Sequence, residues 1–217
     1  MLKTESVYHG TDSDSANEII LTHTMNKSCN MDDWLGSGIY FYDKLDNAIL
    51  YNIRKYINKN EEYPTYDELV DERKIVIVEL SYSENDELDL NDIENIRKFL
   101  GLWKMFYDEV KCDDDYNSSK YKDGYMINWL FENTDYFNDC KIVTNIFNLD
   151  LKFRRNIDKI FLNQTRIGYT LSQKYICVVD RNCITDIKLY DKKIENEYNK
   201  IKDLTNNILM VGDWYEV

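Results

Sequence analysis

Few side chains in this sequence are suited to chemistry, and most of them fall early. The chain holds two histidines, His9 and His23, which leaves no room for multi-histidine metal chemistry. His9 is the better candidate of the pair, because it ends the run Val7-Tyr8 and stands directly before Gly10-Thr11, where a strand would give way to a turn. Cys29, Cys112, Cys140, Cys177 and Cys183 are odd in number, scattered and free of any C-x-x-C pair, so neither a zinc site nor a disulfide framework is indicated. The run Asp113-Asp114-Asp115 reads as a solvated loop, since adjacent carboxylates rarely converge on one cation without a chelating turn. No G-x-G-x-x-G follows a strand and no P-loop occurs, which argues against a dinucleotide-binding doubly wound fold. What remains is Tyr8-His9-Gly10-Thr11, then Gly36-Ser37-Gly38-Ile39-Tyr40-Phe41, then Tyr51, eleven residues after Tyr40.

The elements that must position these residues can be read from local pattern. Val7-Tyr8-His9 predicts a strand, and Ser15-Ala16-Asn17-Glu18 predicts a capping box opening a short helix through Ile19-Ile20-Leu21. Ile39-Tyr40-Phe41-Tyr42 predicts a compact aromatic strand, followed by a helix starting near Asp46 that carries Ala48, Ile49, Tyr51 and Tyr56. The β-branched run Lys74–Leu80 predicts a buried strand. Between Asp92 and Val110, Ile93, Ile96, Phe99, Leu100, Trp103 and Phe106 recur at helical spacing and form an aromatic face for core packing, or for a protein partner such as an antitoxin if exposed. A helix around Tyr125–Phe131 and strands at Lys141–Phe147, Tyr175–Val179 and Ile184–Tyr190 complete the order. Residues 59–73 and 112–123 read as loops, and nothing marks a boundary within 1–217, so a single domain is expected. Strands cluster between helices of unequal length, which favours an α+β fold with largely antiparallel sheets.

Composition sets the class. Of 217 residues 43% are hydrophobic and 14% aromatic, enough to build a sizeable core despite a net charge of -13. That charge repels phosphate backbones and anionic membranes, and no apolar stretch approaches membrane-helix length, so a cytoplasmic protein is expected. The abundance of Asn, Ile, Lys, Asp and Tyr fits an AT-rich bacterial or viral genome.

Joined in order, the His9-Gly10-Thr11 segment, Gly36-Ser37-Gly38-Ile39-Tyr40-Phe41 and the spaced Tyr51 resemble the first two motifs of the H-Y-E class of ADP-ribosyltransferases, the diphtheria-toxin and poly(ADP-ribose) polymerase-like group. The likeness covers roughly the first 55 residues. It implies an ADP-ribosyltransferase-like split β-sandwich, two mixed or antiparallel sheets with flanking helices around an NAD cleft. NAD+ would be the substrate, with no metal. Tyr40 and Tyr51 would sandwich the nicotinamide by stacking and cation–π attraction, each contact contributing about 0.5–1.5 kcal/mol. Gly10 and Thr11 would bring the backbone to the carboxamide, and His9 would hydrogen-bond the adenine-side ribose.

The third motif departs from the family's pattern. Its late strand usually opens with a glutamate that steadies the ribosyl cation as nicotinamide leaves. The matching stretch here is Ser172-Gln173-Lys174-Tyr175-Ile176-Cys177, without a glutamate. Alignment puts Lys174 at the acid's place, whereas Gln173 is the closer chemical mimic, and alternation turns the two to opposite faces. With His9 and Tyr40, Gln173 completes the expected catalytic set. Ala48 stands where some members carry a carboxamide-holding serine. Loss of the acid implies single-unit transfer by a mono-ADP-ribosyltransferase, a toxin or defence effector acting on an acceptor that the surface charge makes a protein in preference to nucleic acid. Phe153-Arg154-Arg155 could supply a positive rim for the NAD pyrophosphate or for an acceptor, against the commoner reading of a solvated surface pair. The competing readings are an inactive NAD- or ADP-ribose-binding module, and an interaction protein in which His9 and Tyr40 are core residues.

Overall fold

The computed structural model describes residues 1–30, 33–119, 122–148 and 172–209. Its strands are β1 (Leu2–Asp12), β2 (Ile39–Tyr42), β3 (Arg73–Ser83), β4 (Glu87–Asp89), β5 (Ile142–Asn148), β6 (Ser172–Val178) and β7 (Ile184–Leu189). Its helices are α1 (Ser13–Thr22), α2 (Leu45–Asn60), α3 (Tyr66–Glu72), α4 (Ile93–Val110), α5 (Asp114–Ser118), α6 (Lys122–Asn133) and α7 (Glu195–Leu209). The class is α+β, and the strands form one mixed sheet in the order β4-β5-β6-β2-β1-β3-β7, with β4–β5 its parallel pair.

Two separate sheets were expected, and a single seven-stranded sheet is found. Its continuity is narrow at one place. β1 pairs with β3 over its whole length, from Leu2↔Ser83 to Asp12↔Arg73, while β1 and β2 are joined through one Cα pair, Tyr8↔Tyr42. The sheet therefore has a seam, with β4-β5-β6-β2 on one side and β1-β3-β7 on the other.

Three apolar clusters hold this arrangement. Val7, Val76, Val78 and Leu80 from one side of the seam pack with Ile39, Phe41, Ile142, Ile176 and Val178 from the other, and α1 adds Ala16 and Ile19. Alternation sends the neighbouring residues to opposite faces. There, Val143 and Cys177 bury against Phe99 and Phe106 of α4 and Met126, Ile127 and Leu130 of α6, while Ile75 and Tyr42 bury against α2 through Ala48, Ile49 and Ile53. α7 docks beside α2 by burying Tyr198, whose hydroxyl donates to the Pro64 carbonyl.

Several local expectations change. α1 begins two residues before the Ser15 box, because the Asp12 carboxylate caps it, accepting from the Ser15 N–H at 2.8 Å and the Ser15 hydroxyl at 2.9 Å. The segment 59–73, read as a loop, contains α3, opened by a capping box between Thr65 and Glu68. The segment 112–123 likewise contains α5, whose N-cap is Asp113, so one acid of the aspartate run spends its carboxylate on the Asp115 and Tyr116 N–H groups. Along α4, Phe99 and Phe106 are core residues, whereas Ile93 and Leu100 are 69% and 60% exposed, so the regular stripe overstates the buried face.

Candidate site at the sheet seam

β1 leads His9, Gly10 and Thr11 into the seam. Tyr8, Tyr42 and Tyr175 are successive Cα partners across β1, β2 and β6 and so share one face. His9 turns the other way, its ring meeting Phe41 edge-on at 5.9 Å. Its Nδ1 lies 2.8 Å from the Tyr40 carbonyl oxygen. A carbonyl only accepts, so Nδ1 carries the proton and Nε2 of the neutral ring keeps its lone pair. Burial disfavours the imidazolium and lowers the His9 pKa; the Tyr40 carbonyl opposes that shift, and Arg73 adds to it. The imidazole thus stands where backbone pairing between β1 and β2 stops.

Gly10 is buried, and what approaches it is protein. A Cβ there would sit 2.6 Å from Asn52 Oδ1 and 2.8 Å from the Ala48 carbonyl oxygen, so the missing side chain lets α2 lie against β1. Thr11 pairs with Lys74 across the ladder. Asn52, one residue beyond Tyr51, is 3% exposed; its Nδ2 donates to the Lys74 carbonyl at 2.9 Å and its Oδ1 accepts from Arg73 Nε at 3.2 Å.

Tyr40 and Tyr51 turn toward different neighbours. The Tyr40 hydroxyl donates to the Gly36 carbonyl at 2.6 Å and accepts from the Leu35 N–H at 2.9 Å, which ties β2 to the preceding turn. That turn needs glycine, because Gly36 has φ +77°. Burial drives the Tyr40 pKa well above that of an ordinary phenol. Tyr51 instead lies 6.0 Å from Tyr42, and Lys55 Nζ stands 5.5 Å from the Tyr51 ring centre. The ring that keeps company with Tyr51 is therefore that of Tyr42.

Tyr42 belongs to a continuous aromatic wall. It packs on Tyr175 at 4.9 Å, and Tyr175 on Trp34 at 5.2 Å and Phe147 at 5.4 Å. Arg54, on α2, lies beside Tyr42 and Tyr175; burial lowers its pKa, while the two phenols favour its charge. None of Trp34, Tyr42, Arg54, Asn52 or Arg73 was singled out from sequence. Tyr42 was within reach, since period-two alternation places it on the face of Tyr40.

Gln173 and Lys174 turn to opposite faces of β6. Gln173 is 1% exposed and shares the face of Tyr175; its Oε1 accepts from the Tyr175 hydroxyl at 3.2 Å and its Nε2 donates to Asn47 Oδ1 at 3.2 Å. Asn47 passes the chain of bonds on to Asp43 at 3.3 Å. Lys174 points the opposite way, its Nζ lying 3.7 Å from Glu87 Oε1, within a polar cluster that also holds Lys3, Glu5 and Tyr82.

The expected residues therefore divide between the two faces of the sheet: Gly10, Tyr51 and Gln173 lie on the α2 face, each against its own neighbours, while the His9 ring lies on the other face against Phe41 and reaches β2 through the Tyr40 carbonyl. A cavity of about 750 Å³ lies elsewhere, between Met105 and Glu109 of α4 and Trp129 and Asn133 of α6. Phe153-Arg154-Arg155 falls outside the described residues. Among the described residues no group of three or more His, Cys, Asp or Glu side chains is placed to hold a metal ion, and no helix is long and apolar enough to cross a membrane.

Comparison with known proteins adds one relative of unassigned role. The chain is 26% identical over 193 residues to an uncharacterized protein of Methanocaldococcus jannaschii, MJ0359, an alignment covering 86% of this chain and 87% of that one. No family model matches the sequence, and no solved structure matches it.

Proposed function

We propose that this protein is a mono-ADP-ribosyltransferase that uses NAD+ as its substrate. The observation that carries the reading is the His9 imidazole at the seam, bonded through Nδ1 to the Tyr40 carbonyl. It joins the two motif segments by a direct bond although they lie 31 residues apart. The fixed tautomer leaves Nε2 able to accept a ribose hydroxyl, and a pKa lowered by burial keeps it neutral at physiological pH. In the reaction the bond between ribose C1′ and the nicotinamide nitrogen breaks, and its electron pair leaves with neutral nicotinamide. An acceptor nucleophile then bonds C1′ and releases a proton. On the α2 face the aromatic wall ending at Tyr51 offers faces for the ring, and the Gln173 amide, buried and bonded to Tyr175, would have to give up that bond to accept from the ribose.

One observation favours a second reading, a module that binds NAD+ or ADP-ribose without turnover. Gln173 carries no charge, and its oxygen is already engaged by Tyr175. A carboxylate at that position would stabilise a developing cation much more strongly. The two readings separate on nicotinamide release from NAD+, measured with and without cell lysate as acceptor. Release that falls with His9→Ala and raises the mass of lysate proteins supports transfer. NAD+ binding without release supports the module, and neither binding nor release overturns both. A toxin or defence role follows if expression with an intact site arrests growth and expression of His9→Ala does not.

A further inference from the structure

We propose that Arg73, with Lys55, forms an oxyanion pocket beside Tyr51 that takes the diphosphate of NAD+; this rests on the reading above that the seam is a nucleotide site. Arg73 opens β3 directly opposite Asp12, the last residue of β1, and so stands at the exit of the His9-Gly10-Thr11 segment. Its guanidinium is aimed: Nε donates to Asn52 Oδ1 at 3.2 Å, and Asn52 is itself fixed by the Lys74 carbonyl at 2.9 Å. That leaves the terminal nitrogens of the fork for a ligand, and Arg73 forms no ion pair among the described residues.

The acids nearby have other work. Asp12 caps α1 through Ser15, and Glu72 pairs with Lys59 at 2.8 Å. Burial lowers the Arg73 pKa, while Tyr51, Asp12 and Glu72 favour its charged form. Lys55 follows Tyr51 by one helical turn and lies over its ring. Two cations thus gather at one tyrosine on a chain of net charge -13, where a general attraction for anions is absent and a local one has to be built. An arginine fork matches paired phosphate oxygens, and in NAD+ the diphosphate begins one ribose beyond the ring that Tyr51 would hold.

The test titrates NAD+, nicotinamide riboside and inorganic pyrophosphate into the full chain by calorimetry, for wild type, Arg73→Gln, Arg73→Lys and Lys55→Gln, with melting curves to confirm folding. Glutamine can still donate to Asn52, and Lys55 is exposed, so at least one variant keeps the fold. The expected result is that Arg73→Gln weakens pyrophosphate and NAD+ by about tenfold or more, leaves nicotinamide riboside unchanged, and is partly restored by Arg73→Lys. Equal weakening of nicotinamide riboside, or unchanged pyrophosphate and NAD+ binding, overturns the assignment while leaving NAD+ as the substrate. Pyrophosphate binding that depends on Arg73 in a protein that binds no NAD+ supports the anion pocket and removes the nucleotide reading.

Discussion

Substituting Gly10 by alanine separates two explanations of the glycine. In the ADP-ribosyltransferases that the segment resembles, this residue lets the backbone approach a ligand; in the structure its missing Cβ makes room for α2. An added Cβ would meet Asn52 Oδ1 at 2.6 Å and the Ala48 carbonyl oxygen at 2.8 Å, both closer than real Cβ contacts allow. The Asn52 oxygen is the tip of a side chain, yet it is held between Arg73 and the Lys74 carbonyl, and the Ala48 oxygen is helix backbone. Relief therefore requires a shift of α2 against β1. Overpacking of this kind costs about 1–3 kcal/mol, offset by about 0.4–1 kcal/mol from the stiffer unfolded chain. A net loss of about 1–2 kcal/mol lowers the melting temperature by about 2–8 °C in a chain of this size. Thermal melts followed by circular dichroism measure it. Asn52→Ala removes the closer obstacle, so the double variant should lose less stability than the two single losses added together. A Gly10→Ala protein that melts with wild type, or above it, refutes the packing argument and returns the glycine to a ligand role.

Further outcomes follow from individual contacts. Tyr40→Phe strands the buried Leu35 N–H and leaves the Gly36 carbonyl only the Cys177 thiol, and should cost about 1–3 kcal/mol in chemical denaturation; an unchanged midpoint contradicts the tie between β2 and its turn. His9 has a folded-state pKa below its unfolded value of about 6.5, so its contribution is complete above that pH and is lost as pH falls toward the folded value. The melting temperature of His9→Gln should therefore decline less between pH 7 and 5 than that of wild type, and parallel profiles contradict the half-buried, neutral imidazole. Gln173→Glu restores a carboxylate beside Tyr175 and should speed nicotinamide release by about tenfold or more if transfer occurs there; an equal or slower rate at preserved fold places the ribose elsewhere.

How much of this was legible in sequence depended on whether a residue's partner was local. β1, β2, α2, β3, α4 and β5 announce themselves through alternation or three- and four-residue spacing, which a short window contains. The start of α1 was misread because a more distant acid, Asp12, outcompeted Ser15 for the cap. α3 and α5 were missed because their stretches are polar and short; α3 buries Leu69 and α5 buries Tyr116, too few apolar residues for a period to show. The site divides along the same line. His9, Gly10, Tyr40 and Tyr51 are visible as motif, but Arg73 and Asn52 acquire meaning only once β3 is paired with β1, and Tyr175 only once β6 is paired with β2. The sheet's continuity across Tyr8↔Tyr42 was equally invisible, since register is set by contacts between strands far apart in the chain.

The seam also bears on how the chain reaches its native state. Passing from β1 to β7, the chain crosses between the two sides at β1 to β2, β2 to β3, β3 to β4 and β6 to β7, so neither half is a continuous stretch of sequence. The longest ladder, β1 with β3, joins Leu2 to Ser83, and β3 must later accept β7, with Val76 opposite Leu189. Such non-local pairings demand loop closure before they return any stabilisation, which slows folding relative to a chain held by local contacts. Residues 1–148 alone would lack β6, the strand that links β5 to β2, and residues 172–209 would hold β6 and β7 with nothing to pair against. The described strands of the two sides are therefore interleaved along the chain, so neither side can be cut out as one continuous stretch of sequence.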